Sequence, residues 1–148
     1  MNFKLLPIIE ADIPTFKSDI QEAFQKGFED VYGKIDDIIL PEKDIDRSLN
    51  AEGSAAYKAV VDGETVGGAV VVIYKKTQHN HLDLLYVKYG TQTKGIGCAI
   101  WNAIEKMYPD TNVWETCTPY FEKRNIHFYV NKCKFHIVGF QCENNPSS

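Results

Sequence analysis

No stretch of the 148-residue chain approaches the ~20 consecutive apolar residues that cross a bilayer; the longest apolar run, residues 66–74, falls far short. The first residues carry Lys4, Glu10 and Asp12 instead of the apolar core of a secretory signal. The expectation is therefore a cytoplasmic protein with no membrane partner. A surplus of positive charge is missing too: 16 Lys and Arg stand against 20 Asp and Glu, a net charge of −4. Sequence-independent binding to nucleic acid needs the opposite sign, so no nucleic-acid partner is expected. Cysteine is sparse: Cys98, Cys117, Cys133 and Cys142 include no C-x-x-C pair, and they read as reduced thiols rather than a disulfide or zinc framework. There is no internal repeat, and only residues 143–148 look like a frayed polar tail. What is there, 44% hydrophobic and 24% charged residues, suits one domain over residues 1–142, large enough to bury a core without staples.

The opening FKLLPII reads as a strand. Asp12 is placed to cap a helix whose apolar residues Ile13, Phe16, Ile20, Phe24 and Phe28 recur at intervals of three and four. Residues 29–46 hold seven acidic side chains against Lys34 and Lys43, with Gly33 and Pro41 as breakers, and are expected to be loop and a short second helix. AAYKAVV and the valine-rich run 65–74 flank Asp62-Gly63, a hairpin signal because both turn positions tolerate positive φ. HLDLLYV is a third strand of this group. GTQTKGIG then leads into a helix with one apolar face, Ile96, Ala99, Ile100, Ala103, Ile104 and Met107, ending at Tyr108-Pro109. A strand over residues 112–117, a helix over 121–133 introduced by Thr118-Pro119, and a strand over 135–141 complete the chain. The order predicts an α/β (α+β mixed) domain, a mixed sheet with helices on both faces, not an alternating doubly wound fold.

The segment between the third strand of that group and its helix carries chemistry. A glycine-rich turn there leaves backbone N–H groups at the positive end of the helix dipole, a nest for phosphate oxygens. It is not a Walker A loop: after Gly95 that motif needs Lys and Ser or Thr, where Ile96 and Gly97 stand. It is not the dinucleotide fingerprint either, whose third glycine would fall at Ile100. A tight strand–helix turn without a ligand is the simpler alternative.

Gln92-Thr93-Lys94-Gly95-Ile96-Gly97 resembles the Gln/Arg-x-x-Gly-x-Gly/Ala pyrophosphate loop of the GNAT superfamily of N-acetyltransferases. The preceding LDLLYV, the following amphipathic helix and the downstream FEKRNIHFYVNKCKFHIVGF extend the resemblance over about residues 82–140. It implies the GNAT-like acyl-CoA N-acyltransferase fold, with a central, mostly antiparallel mixed sheet. It also implies acetyl-coenzyme A as acetyl donor, its pyrophosphate on the amides of residues 94–98, Cys98 included, and its pantetheine arm along Leu85, Tyr86 and Val87. Asn125 is then a partner for the pantetheine amides. Lys88 and Lys94 can add charge to the phosphates.

The resemblance further suggests that a backbone N–H at Val87 or a neighbour polarises the thioester carbonyl. A tyrosine, ordinarily titrating near 10, would protonate the departing thiolate; Tyr129 is the candidate, with Tyr120 and Tyr86 as alternatives. The family's Gly-Phe pair is here Lys134-Phe135, one residue farther from the tyrosine. Glu115 and Asp83 are the candidate bases. Strand alternation puts His79, His81 and Asp83 on one face, with Glu115 on the strand expected to splay away. His79 and His81 lack a third ligand on this reading, so they are taken as a polar strand end and no metal is expected. The acidic stretch 29–46 corresponds in element order to the segment lining the family's acceptor site, which suggests a cationic small-molecule or peptide amine; a solvated acidic surface is the alternative. Dimerisation is common in the family, which leaves a homodimer open. A non-catalytic acyl-CoA-binding or protein-interaction module on the same fold is the second reading, and a domain using the loop for another phosphate ligand the third.

Overall fold

The computed structural model describes residues 2–91, 93–117, 128–133 and 135. The chain divides into two units, Met1–Glu115 and Thr116–Ser148. The first holds strand β1 (Phe3–Pro7), helices α1 (Ile13–Tyr32) and α2 (Glu42–Asn50), the strands β2 (Ser54–Val61), β3 (Glu64–Val72) and β4 (His79–Val87), and helix α3 (Ile96–Met107). Strand β5 (Val113–Thr116) follows α3. Five strands form one sheet in the order β1-β2-β3-β4-β5. The first four pair antiparallel, whereas the amides of Asn112 and Val113 both donate to the Gln78 carbonyl, at 2.7 and 3.2 Å. Strand β5 thus starts where β4 starts and runs the same way, so the sheet is mixed, as the element order predicts.

The hairpin between β2 and β3 turns on Asp62 and Gly63, with φ of 50° and 87°. Helices cover both faces. On one, Phe16 and Ile20 of α1 and Ile45 of α2 pack with Val70 and Tyr86 into a buried cluster; on the other, Ile100 of α3 lies over Gly67. Two consecutive glycines allow this approach. A Cβ at Gly67 would stand 2.5 Å from the Tyr86 carbonyl oxygen and 3.1 Å from Ile100 Cδ1, and one at Gly68 would stand 2.5 Å from the Tyr57 oxygen and 2.9 Å from Phe16 Cε2. No side chain fits at either position.

Three local features differ from expectation. Asp12 does not cap α1 with its side chain; its carboxylate accepts the Ile9 N–H at 2.9 Å and pairs with Lys58 at 3.2 Å. The chain enters α1 through a 3₁₀ turn, Glu10–Asp12, so Asp12 is already helical and caps that turn instead. Strand β4 carries a bulge: Val70 pairs with Leu84 but Val71 with Leu82, leaving Asp83 as an extra residue. The bulge resets the alternation, so Leu84 and Tyr86 join the cluster under α1 and α2. In the second unit Phe128–Lys132 is a π-helical turn, where an α-helix over 121–133 is predicted. The rest of that helix, the closing strand beyond Phe135 and the tail lie outside the described residues.

Candidate functional site

The end of β4 and the start of α3 are joined by the glycine turn. Thr91 N–H donates to the Lys88 carbonyl at 3.1 Å, closing a turn through Gly90 at φ 87°. Gly95 then holds φ 81°, ψ 9° as the N-cap of α3, a left-handed conformation that costs an L-residue about 1–2 kcal/mol. Its carbonyl accepts the Ala99 N–H at 3.0 Å. The amides of Ile96, Gly97 and Cys98 are consequently first-turn donors without intrahelical acceptors. Among the described residues no side chain caps them, and no acidic residue sits in the first turn to neutralise the dipole. Among the described residues nothing lies within 4 Å of where a Gly95 Cβ would be. Thr93 and Lys94 are exposed beside it, while Ile96 is buried and anchors the turn. Gln92 lies outside the described residues.

Strand β5 has four residues against nine for β4. Beginning level with Gln78, it flanks only the first half of β4, and the edge at Leu85, Tyr86 and Val87 extends beyond it. Lys88 N–H is still in the sheet, donating to Val66 at 2.8 Å. The Tyr86 side chain, in contrast, turns inward. Its ring meets Phe16 edge-on at 5.6 Å, and its hydroxyl is buried without a partner in a small pocket lined by Asp12, Asp19, Lys58 and Thr65 among others. Burial, with the Asp19 charge adding, pushes this phenol well above its ordinary range. Burial likewise raises Asp19, against the pull of Lys88.

The two candidate bases occupy different settings. Asp83, the bulge residue, accepts a hydrogen bond from Ser48 Oγ of α2 at 3.1 Å. Glu115 is not splayed away from β4: its two oxygens face the two histidines, Oε1 2.8 Å from His79 Nε2 and Oε2 3.3 Å from His81 Nε2. Sequence reasoning found the histidine pair on one strand face but missed its closeness to Glu115, which depends on the register that the α3 crossover sets between β4 and β5.

In the second unit, Tyr129 is half-buried between the rings of Phe128 and Phe135, at 5.3 and 5.7 Å. Burial pushes its hydroxyl up to about 12, the nearby Cys133 adding and a hydrogen bond with Thr116 opposing. The tuning is opposite in direction to what an acid for a thiolate gains from. Tyr120, Asn125 and Lys134 lie outside the described residues.

The acidic stretch is partly neutralised. Lys17 of α1 bridges Glu42 and Asp46 of α2, at 2.9 and 2.6 Å, and Glu29 accepts from Gln25. Asp30, Asp36 and Asp37 remain exposed, next to exposed Val31, Tyr32 and Ile38.

This mixed five-stranded sheet flanked by helices matches the fold of solved acetyltransferase structures. The Acetyltransferase (GNAT) family profile matches residues 17–135, and the chain belongs to that family. It is 50% identical over 139 residues to the uncharacterized protein YrkN of Bacillus subtilis (strain 168), covering 93% of this chain and 75% of YrkN. Among solved structures it is similar to a GNAT family acetyltransferase from Elizabethkingia anophelis with acetyl-CoA bound, with a TM-score of 0.70, 17% identity, and coverage of 98% of this chain and 86% of that one. It is also similar to the aminoglycoside acetyltransferase meta-AAC0020 from an uncultured soil metagenomic sample, in complex with sisomicin, with a TM-score of 0.60, 17% identity and 95% coverage of both chains. Among the described residues no helix is long and apolar enough to cross a membrane.

Proposed function

We propose that the protein is an N-acetyltransferase that moves the acetyl group of acetyl-coenzyme A directly to a primary amine of a small molecule or peptide. The observation that carries this reading is the N-terminus of α3: three first-turn amides behind a left-handed, exposed Gly95, with no acidic residue in the helix's first turn. Membership of the GNAT family and the acetyl-CoA complex of the Elizabethkingia relative support the choice of donor.

The donor supplies an acetyl thioester. Amides of residues 94–98 bind its pyrophosphate, with Lys94 and Lys88 adding positive charge. The β4 edge at Leu85, Tyr86 and Val87 offers backbone groups to the pantetheine amides, as a strand does to a peptide, and Val87 N–H or a neighbour polarises the carbonyl. Asp83 or Glu115 takes the proton that the amine gives up as its nitrogen attacks. Tyr129 donates a proton to the sulfur as the C–S bond breaks. The exposed carboxylates of Asp30, Asp36 and Asp37 favour a cationic acceptor, and the sisomicin complex of the metagenomic relative supports a small polyamine-like molecule. One observation favours a second reading, an acyl-CoA-binding module without turnover: the phenol of Tyr129 is buried and pushed up to about 12.

Thermal unfolding with and without acetyl-coenzyme A tests the donor. At about 100 times its dissociation constant a ligand adds roughly 2.7 kcal/mol, and the shift is expected to vanish in Gly95→Asp/Gly97→Asp. No shift at millimolar donor overturns the reading. A screen of polyamines and aminoglycosides then separates enzyme from module by turnover.

A further inference from the structure

Three side chains stand together at the start of the parallel β4/β5 pair, away from the glycine turn. His79 and His81 alternate onto one face of β4, their rings nearly parallel at 22° with centroids 6.1 Å apart. Glu115 reaches both from β5 and gives each nitrogen its own oxygen. One donor atom from each of the three lies within 4.8 Å of the others.

The closer of these contacts is not a hydrogen bond. His79 Nε2 is buried and has no hydrogen-bond partner, although Glu115 Oε1 is 2.8 Å away; the oxygen lies off the axis of the ring N–H. An imidazole nitrogen this close to a carboxylate oxygen without a hydrogen bond is two electron-rich atoms in contact, an arrangement that a cation held by both would relieve. Donors bound to one Zn²⁺-sized ion at about 2.0–2.2 Å, at angles between octahedral and tetrahedral, lie about 2.8–3.5 Å apart. The observed separations are 2.8 and 3.3 Å.

The backbone carrying the ligands is fixed. Between the histidines, Asn80 is fully buried; its Oδ1 accepts Tyr74 N–H and its Nδ2 donates to Thr111 Oγ1, both at 2.8 Å. Gln78 holds the start of β5 through Asn112 and Val113, and the Tyr74 ring packs edge-on against His81 at 6.0 Å. All three ligand side chains are between 41% and 46% exposed, so the cluster lies at the surface although the His79 nitrogen itself is covered.

We propose that His79, His81 and Glu115 form a binding site for a divalent transition-metal ion of the Zn²⁺ class, two imidazoles and one carboxylate with the remaining positions open to water. Two nitrogen donors and one oxygen suit Zn²⁺, Co²⁺ or Ni²⁺ over Mg²⁺ or Ca²⁺. The ion cross-links β4 to β5 where only a few backbone bonds join them. With Glu115 engaged in this way, Asp83 is the carboxylate left to take the amine's proton.

The test is metal binding by the full-length, untagged, EDTA-stripped chain without acetyl-coenzyme A, so it is read independently of acetyl transfer. Co²⁺ titration is expected to develop a saturable ligand-field spectrum at one equivalent, with no sulfur-to-metal charge transfer, and Zn²⁺ is expected to bleach it. His81→Ala and Glu115→Gln should each weaken Zn²⁺ binding more than about 100-fold, since losing even an outer-shell partner costs roughly 10–100-fold. Circular dichroism in EDTA verifies that both variants are folded. Absence of saturable binding in the wild type, a thiolate spectrum, or affinity unchanged in folded variants overturns the site. Should a variant not fold, the wild-type spectrum alone decides.

Discussion

Asn80 donates its side-chain amide to the Thr111 hydroxyl at 2.8 Å, and that hydroxyl in turn donates to the Tyr108 carbonyl at 2.9 Å. This chain of bonds ties the buried start of β4 to the turn that delivers β5. Replacing Asn80 by Ala leaves the Tyr74 N–H without its acceptor and removes the donor to the Thr111 hydroxyl, and an unsatisfied buried polar group costs about 1–3 kcal/mol. Urea unfolding should report a loss in that range with an unchanged m-value; a loss below about 0.5 kcal/mol contradicts the role.

Gly68→Ala places a methyl group 2.5 Å from the Tyr57 carbonyl oxygen and 2.9 Å from Phe16. A backbone atom cannot step aside as a side chain does. Destabilisation of about 1–3 kcal/mol is expected, visible in thermal melts, whereas Gly27→Ala, with nothing within 4 Å inside α1, should stabilise by up to about 1 kcal/mol.

At Gly95 the strain and the ligand separate cleanly. Gly95→Ala meets no neighbour but must hold φ 81°, so it should lower stability by about 1–2 kcal/mol. Gly95→Asp adds a carboxylate beside the proposed phosphate site and should abolish the acetyl-coenzyme A shift that Gly95→Ala only weakens. Equal shifts in wild type and Gly95→Asp would place the donor elsewhere.

Tyr129 titrates at about 12 in the folded chain against about 10 when unfolded. The folded state therefore holds its proton longer. Its contribution to stability is complete below pH 10 and is lost as pH rises through 12. Tyr129→Phe should flatten the alkaline limb of a Tm-against-pH curve. In the proposed enzyme it should also lower kcat about tenfold or more with KM nearly unchanged; a change in KM alone would remove the phenol from the proton path.

Asp12 behaves oppositely. The Ile9 N–H, then Lys58, hold its carboxyl below the usual range. Stability from this contact is present above the unfolded value near 4 and is lost as pH falls through the folded one. Asp12→Asn should shrink the drop in Tm on acidification; an acid limb identical to wild type would contradict it.

The strand, turn and helix around Gly95 were legible in the sequence because each has a local marker: alternating apolar residues, glycines, then an i, i+3, i+4 face. The hairpin at Asp62-Gly63 was legible for the same reason. The bulge at Asp83 was not, since no glycine or proline marks it and only the pairing of Val70 and Val71 reveals it. The meeting of Glu115 with His79 and His81 was equally hidden. It joins residues more than thirty positions apart through a register that the turn after α3 decides. Asp12 stands at the start of α1, as the sequence expects, but its carboxylate serves the 3₁₀ turn before the helix, which no local marker in the sequence shows.

The strand order repeats the order of the chain, and this shapes how the sheet assembles. From β2 to β4 each strand meets the one just made, across a turn of a few residues. These hairpins close with little loss of chain entropy and belong to the fast phase of folding. Strand β5 must wait for α3 to form and cross over. The meeting of Glu115 with the histidines and the pairing of β1 with β2 across α1 and α2 are thus the two long-range closures of the sheet, and a probe at the histidine cluster would time the first of these separately from the hairpins.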